Sequence, residues 1–190
     1  MSGQAGRYQR SLSGMVGALL VSLLAIGAYV GFRALNRDEL EVRPEPIELR
    51  DAVLAGQDAG VHPVYPDPMP GGWTATSFDV GSPDEPAWGL GLHTDEGRYV
   101  GIRREEGSLD DLVETYVDEN AEEGDPATIP GPVADEWQTW SDERGDTAYA
   151  AETRRGWLLV YGSAPAAQLR AVVGSLTEET VEVTAPTSTG

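Results

Sequence analysis

The chain has 190 residues, of which 13 are basic and 32 acidic, for a formal net charge of −19, and it contains no cysteine. The lack of thiols excludes disulfides, cysteine zinc sites and a lipid-modified cysteine anchor. The charge is unevenly distributed: residues 1–50 carry six Arg and five acidic residues, whereas residues 51–190 carry seven Arg and 27 acidic residues. Such an acidic surface repels phosphate backbones, so we expect no nucleic-acid partner. Every basic residue is Arg, which is typical of a GC-rich genome or of a salt-adapted surface.

The first predicted element is a membrane-spanning helix. Residues 12–32 contain no charged side chain and are flanked by two arginines on each side. At about 1.5 Å per residue this run covers roughly 30 Å, the hydrocarbon thickness of a bilayer. A backbone in lipid must satisfy its own hydrogen bonds, which a helix does. We predict an N-terminal tail at 1–11 and a transmembrane helix at 12–35 that binds the lipid bilayer. A cleaved signal peptide is the alternative, but its apolar stretch is usually shorter.

The orientation of this helix follows from its flanks. The count of basic residues on the two sides does not decide it, but a short basic tail, an apolar helix and a folded domain together are typical of a signal-anchor protein. We therefore predict a single-pass protein of the cell membrane with a cytoplasmic N-terminus and an extracytoplasmic C-terminal domain. Gly27 and Gly31 have the spacing that allows two such helices to approach closely, so they are candidates for helix dimerisation.

Three segments follow the anchor. Residues 36–60 are predicted to form a charged linker that contains a short helix. Residues 61–176 are predicted to form one extracytoplasmic domain, because about 115 residues suffice for an ordinary core. Residues 177–190 are rich in Thr, Glu, Pro and Ser and are predicted to be disordered.

The domain shows strand and helix patterns in a fixed order. Alternating or continuously apolar runs predict strands at 73–80, 87–94, 98–104, 136–141, 147–153 and 156–162. Helical spacing predicts one helix after an N-cap at Ser108 and a second after an N-cap at Ser163. Because short turns connect most strands, we predict an α+β fold in which an antiparallel sheet of about six strands is covered on one face by two helices.

The polar residues do not form a recognisable catalytic or metal motif. Asp118, Asn120 and Glu122 have the spacing of the first calcium ligands in an EF-hand loop, but the sixth position lacks glycine and the twelfth lacks an acid. The chain has two histidines and no nucleophile motif. We predict no catalytic residue, no metal and no cofactor.

The five tryptophans are the better candidates for a binding surface. Most of them fall on strand positions where burial under the helices is expected. Trp73, Trp137 and Trp140 are the candidates for a ligand or partner surface, because aromatic side chains often line binding grooves. Trp140 lies close to the polar run 142–145 and is expected to be the most exposed of them.

Several stretches of the chain resemble a family of actinobacterial membrane-anchored proteins known only as a domain of unknown function. The matching pieces are the basic N-terminal tail and the predicted anchor, followed by 68–77 (PMPGGWTATS), 88–94 (WGLGLHT), 97–102 (GRYVGI), 137–140 (WQTW), 160–164 (VYGSA), Leu169 and 172–176 (VVGSL). The resemblance implies a membrane protein of a GC-rich Gram-positive lineage with its domain on the outer face. It implies no activity and no site residues.

These observations favour a non-enzymatic binding or interaction module of the cell envelope, with a protein or small ligand as its partner. One alternative is a carboxylate-dependent hydrolase, which would require acids such as Asp142, Glu143, Asp146 or Glu152 to converge beside Trp140. Another is a passive accessory subunit of a membrane complex.

Overall fold

A computed structural model describes residues 45–82 and 85–181, with the side chain of Glu85 excepted. Among these residues no helix has both the length and the apolar character needed to cross a membrane. The predicted tail at 1–11, the predicted span at 12–35 and its Gly27 and Gly31 lie outside the described residues.

The described residues form three helices and ten strands, numbered here in chain order. The helices are α1 (Leu49–Asp58), α2 (Leu109–Tyr116) and α3 (Ala166–Ser175). The long strands are β2 (Thr74–Ser82), β3 (Glu85–His93), β4 (Tyr99–Glu105), β7 (Glu136–Ser141), β8 (Thr147–Thr153) and β9 (Gly156–Gly162). The two-residue strands are β1 (Tyr65–Pro66), β5 (Glu122–Glu123), β6 (Ala127–Thr128) and β10 (Leu176–Thr177).

The strands form one main sheet in the order β2-β3-β4-β9-β8-β7-β5, and β6 also pairs with β7. Every neighbouring pair is antiparallel. The α+β fold and the antiparallel sheet are therefore confirmed, and the six long strands correspond to the six predicted ones. The strands β1 and β10 form a separate two-stranded ribbon.

The helices cover both faces of the sheet, so the prediction of two helices on one face is wrong. In β9, Leu158 and Val160 pack into the core that contains α1 and α3, whereas Leu159 packs into a second core with α2. The physical reason is that the central strand is apolar on both sides, and a sheet buried on both faces needs a layer on each. The alternation along β9 places successive side chains on opposite faces.

The larger core lies between the sheet and helices α1 and α3. Its fully buried large side chains come from both the sheet and the helices: Val53, Val64, Trp88, Leu92, Val100, Ile102, Trp137, Leu158, Val160, Leu169 and Leu176. The smaller core lies under α2 and contains Leu112, Val113, Trp140, Ala148, Ala150 and Leu159.

The two predicted N-caps have different outcomes. The Ser108 Oγ accepts a hydrogen bond from the Asp111 N–H at 3.2 Å and begins α2 as predicted. Ser163 does not cap α3, which is preceded by Pro165 and has no side-chain cap. Instead the Ser163 Oγ accepts a hydrogen bond from the Tyr99 N–H at 3.1 Å, so it ties the end of β9 to the start of β4.

The predicted disordered tail at 177–190 begins inside the described part of the chain, where Thr177 belongs to β10, and its residues 182–190 lie outside the described residues. Leu176 and Thr177 are buried and pair with Pro66 and Tyr65 in the β1–β10 ribbon. The Tyr65 hydroxyl donates a hydrogen bond to the Glu179 carbonyl at 3.0 Å. Tertiary contacts thus hold a segment whose composition alone indicates disorder, and the structure describes it as far as residue 181.

Candidate binding groove

The three tryptophans expected to form a surface are not brought together. Trp137 and Trp140 are only 1% and 8% exposed, and they lie on opposite faces of β7, in the larger and the smaller core respectively. Trp73 is half-buried and packs against the larger core. Trp140 is buried rather than exposed, although it contributes to a cleft that Asp125 and Arg170 also line.

One acid near Trp140, Asp142, is engaged in turn formation. The Asp142 side chain is only 2% exposed. Its Oδ1 accepts hydrogen bonds from the backbone N–H groups of Arg144 and Asp146, and its Oδ2 accepts one from the Arg144 Nε at 3.0 Å. Burial alone would raise the pKa of Asp142, but these hydrogen bonds from Arg144 and Asp146 outweigh it and lower the pKa. Asp142 therefore organises the β7–β8 hairpin.

The most distinctive surface feature is a groove on the sheet face that carries α2, and its floor is made of glycine. Gly89 and Gly91 of β3 lie beside Gly101 of β4, and Gly91 pairs directly with Gly101. All three glycines are buried. Because glycine has no Cβ, side chains from neighbouring strands lie down across the backbone at these positions. We call this feature the glycine groove.

Two rows of cross-strand neighbours cross this floor. In the first row Asp79, Gly89 and Arg103 stand opposite one another on β2, β3 and β4. A Cβ added at Gly89 would lie 2.8 Å from the Arg103 Nη1. The guanidinium of Arg103 thus reaches over the glycine to form an ion pair with Asp79, while its other nitrogens bind Glu105 at 2.8 and 3.0 Å.

In the second row Ser77, Gly91, Gly101 and Tyr161 stand opposite one another on β2, β3, β4 and β9. A Cβ at Gly101 would lie 2.4 Å from the Tyr161 Cζ, and one at Gly91 would lie 2.4 Å from the Ser77 Oγ. The phenol ring therefore lies across the Gly101 backbone, and the serine hydroxyl covers the next glycine.

Tyrosine rings form one wall of the groove. Tyr161 contacts Tyr99 edge-on at 6.0 Å between ring centroids and Tyr116 of α2 at 5.6 Å. The Arg103 guanidinium carbon lies 5.2 Å from the centroid of the Tyr116 ring, within the range of a cation–π contact. Each tyrosine is half-buried, because one side packs toward neighbouring residues while the other borders the groove.

The groove has about 130 Å³ of space at its centre. A second depression of about 510 Å³ shares Arg103 and extends toward Ser108 and Asp111 at the start of α2. Arg103 therefore stands at the junction of the two, with only 16% of its side chain exposed.

The environment keeps Tyr116 and Tyr161 neutral and Arg103 charged. Burial, and then the neighbouring Tyr99 phenol, raises the pKa of Tyr161 well above its ordinary value. Burial also raises the pKa of Tyr116, against the opposing effect of Arg103. Burial alone would lower the pKa of Arg103, but hydrogen bonds to Asp79 and Glu105 raise it. The groove thus offers neutral hydroxyls beside a fully paired cation.

No histidine is among the described residues that line the groove. His93 contacts Tyr99 edge-on at 5.6 Å, and its Nδ1 has no hydrogen-bond partner among the described residues. No group of three or more His, Asp or Glu side chains within residues 45–82 and 85–181 is arranged to hold a metal ion. Among its lining residues the groove presents tyrosine rings, hydroxyls and one ion-pair network.

The sequence contains a pattern that indicates this groove, although the five tryptophans do not point to it. The alternation in 88–94 places glycines on the face opposite three large apolar residues, and Tyr99, Gly101 and Arg103 alternate in the next strand. Glycines on one face of two adjoining strands indicate a shallow trough. Tyr161 and Tyr116 complete the groove. They come from distant parts of the chain, so the local pattern does not identify them.

The chain is similar to a protein family of unknown function. A family model described as "Protein of unknown function (DUF4245)" matches residues 7–176. Neither the curated proteins nor the solved structures gave a match.

Proposed function

The chain belongs to the DUF4245 family, whose function is unknown, and from its own residues we propose that it is a single-pass membrane protein that presents a non-enzymatic binding domain outside the cell. The observation that carries the binding role is the glycine groove, where half-buried tyrosines and a paired arginine border a floor without side chains.

The location rests on the sequence. Residues 12–35 have the length and apolar character of a membrane anchor. The short basic tail before them favours a cytoplasmic N-terminus. The exclusive use of Arg among basic residues, together with the resemblance described above, supports an actinobacterial origin and a domain on the outer face of the membrane.

The chemistry of the groove favours a neutral, hydroxyl-rich ligand such as an envelope carbohydrate. Arg103 is already neutralised by Asp79 and Glu105, so the site has no unpaired cation to attract an anion. A guanidinium held in place can donate hydrogen bonds to ligand hydroxyls, and a carboxylate held in place can accept hydrogen bonds from adjacent hydroxyls. The rings of Tyr99, Tyr116 and Tyr161 supply apolar faces on which a sugar ring can rest.

The location can be tested with single-cysteine variants, because the natural chain has no cysteine. We expect Ser188→Cys to react with a membrane-impermeant maleimide on intact cells, and Ser2→Cys to react only after permeabilisation. Labelling in the opposite order would contradict the proposed orientation. Recovery of the chain in the aqueous fraction without its first thirty or so residues would contradict the anchor.

The binding role can be tested by calorimetry on the full chain in lipid nanodiscs with a panel of short neutral oligosaccharides. We expect Asp79→Ala to weaken binding by about tenfold or more, because loss of one charge-assisted partner typically costs more than 1.4 kcal/mol. The matched control is Asp58→Ala, an exposed acid of α1 on the other side of the sheet. Equal binding by both variants, or no binding of any oligosaccharide, would refute the proposed ligand class.

A further inference from the structure

A second and independent feature lies on the opposite face of the sheet, where an arginine is buried. Arg104 of β4 is 5% exposed and is the only basic residue in the buried part of the described chain. It stands beside Ile102 and Trp88 on the face of the larger core. A buried charge is tolerated only when a partner of opposite charge meets it.

The partner of Arg104 comes from the segment that follows β10. The Arg104 Nη1 forms an ion pair with the Glu178 Oε1. The other carboxylate oxygen of Glu178 contacts the Arg155 Nη1 at 3.3 Å. The two oxygens of one carboxylate are thus divided between two guanidinium groups, one from β4 and one from the β8–β9 turn.

Backbone pairing brings Glu178 to this position. Thr177 pairs with Tyr65 in the β1–β10 ribbon, and the Tyr65 hydroxyl donates to the Glu179 carbonyl on the other side of Glu178. The Glu179 N–H also donates to the Thr177 Oγ1 at 3.2 Å. Both flanking residues are therefore fixed, and Glu178 is held toward the arginines.

The same two arginines line a cavity of about 110 Å³, together with His62, Trp88 and Glu106. The charged side chains that line this cavity are the two guanidinium groups and the carboxylate of Glu106. Burial lowers the pKa of Arg104. The negative charge of Glu178 opposes this effect, and the positive charge of Arg155 adds to it. Glu178 thus supplies one negative charge to two guanidinium groups.

We propose that Arg104 and Arg155 form a carboxylate-binding site and that Glu178 is its internal ligand, so that this site fastens the C-terminal segment to the domain. The chemical class of the ligand is a carboxylate that two guanidinium groups hold through its two oxygens. When Glu178→Gln replaces this carboxylate with a neutral amide, a free carboxylate from solution can compete with the amide for the two guanidinium groups. The proposal does not depend on the glycine groove, which lies on the other face.

The test is thermal unfolding of the full chain in detergent micelles, followed by tryptophan fluorescence during titration with sodium acetate. We expect Glu178→Gln to unfold at a lower temperature than the natural chain. We also expect acetate to raise the midpoint of this variant saturably by about 2–4 °C, because a ligand that binds only the folded state stabilises it. The natural chain is the control for the general effect of salt, and its unfolding midpoint should show no saturable increase with acetate.

Two further variants separate a binding site from a merely structural ion pair. Glu179→Gln removes an exposed neighbouring carboxylate and should behave like the natural chain. Arg155→Gln combined with Glu178→Gln should reduce or abolish the acetate response. The Arg155→Gln substitution should itself disturb the fold little, because the Arg155 side chain is 43% exposed. If Glu178→Gln gains no saturable response beyond that of the natural chain, or if the response persists in the double variant, the proposed site is refuted.

Discussion

The ring of Tyr161 lies across the backbone of Gly101, its direct partner on the neighbouring strand. An added methyl group at this position would lie within 2.7 Å of two ring carbons and the hydroxyl oxygen of Tyr161. The glycine therefore determines where the phenol lies, and the phenol determines the shape of the groove.

We expect Gly101→Ala to lower the free energy of unfolding by about 1–3 kcal/mol, because an overpacked buried site forces its neighbours to shift. Gly91→Ala is the matched control, since the nearest atom there is the Ser77 hydroxyl of an exposed residue, which can rotate away. Urea unfolding followed by tryptophan fluorescence measures both. Equal losses in the two variants would show that the Tyr161 contact does not constrain the groove.

A second prediction compares two buried tryptophans. The Trp88 Nε1 donates to the Val64 carbonyl at 2.8 Å, whereas the Trp137 Nε1 has no hydrogen-bond partner among the described residues. Both side chains are at most 1% exposed. We expect Trp88→Phe to destabilise the fold by about 1 kcal/mol more than Trp137→Phe, because only the first change leaves a buried carbonyl without its donor.

Denaturant titration of the two Phe variants measures this difference directly. Both substitutions remove the same atoms, so the cost of lost volume is similar in each. A larger loss for Trp137→Phe would mean that the Trp88 hydrogen bond contributes little to the stability of the α1 side of the sheet.

A third prediction concerns acid stability through Asp142. Its pKa is lowered in the folded state from the ordinary value of 3.8, since the hydrogen bonds from Arg144 and Asp146 outweigh burial. A depressed pKa means that the ionised carboxylate stabilises the fold above pH about 4, and that this contribution disappears as the pH falls through the folded-state value. We expect the stability difference between the natural chain and Asp142→Asn to be constant near neutral pH and to shrink below pH about 4.

The measurement is the midpoint of urea unfolding at a series of pH values for the two chains. Glu143→Gln is the control, because Glu143 is the exposed neighbour in the same turn. If the difference between the natural chain and Asp142→Asn grew as the pH fell, the assigned direction of the shift would be wrong.

A fourth prediction concerns the proposed membrane helix. If Gly27 and Gly31 form a helix–helix contact, replacing both with Leu should weaken dimerisation in detergent by about tenfold, since close packing and interhelical contacts contribute roughly 1–2 kcal/mol. Gly14→Leu is a suitable control, because at about 100° per residue Gly14 would lie on a different face of the proposed helix. Sedimentation equilibrium measures the dimer fraction. An unchanged dimer fraction, or a monomeric natural chain, would contradict the prediction.

The sequence by itself determined the fold class and the main strands. Period-two patterns such as that of 87–94 depend only on local alternation, and they gave strands close to their observed limits. The N-cap at Ser108 could be predicted equally well from the sequence, because the serine side chain accepts a hydrogen bond from a backbone N–H only three residues away.

Only the tertiary structure decided which helix covers which face, how deeply Trp137 and Trp140 are buried, and where the groove lies. The run 157–161 is apolar throughout, so its sequence alone does not assign helices to its two sides. The contacts between Gly101 and Tyr161, and between Arg104 and Glu178, join residues 60 and 74 positions apart. Pairing over such distances depends on strand order, which local patterns in the chain do not contain.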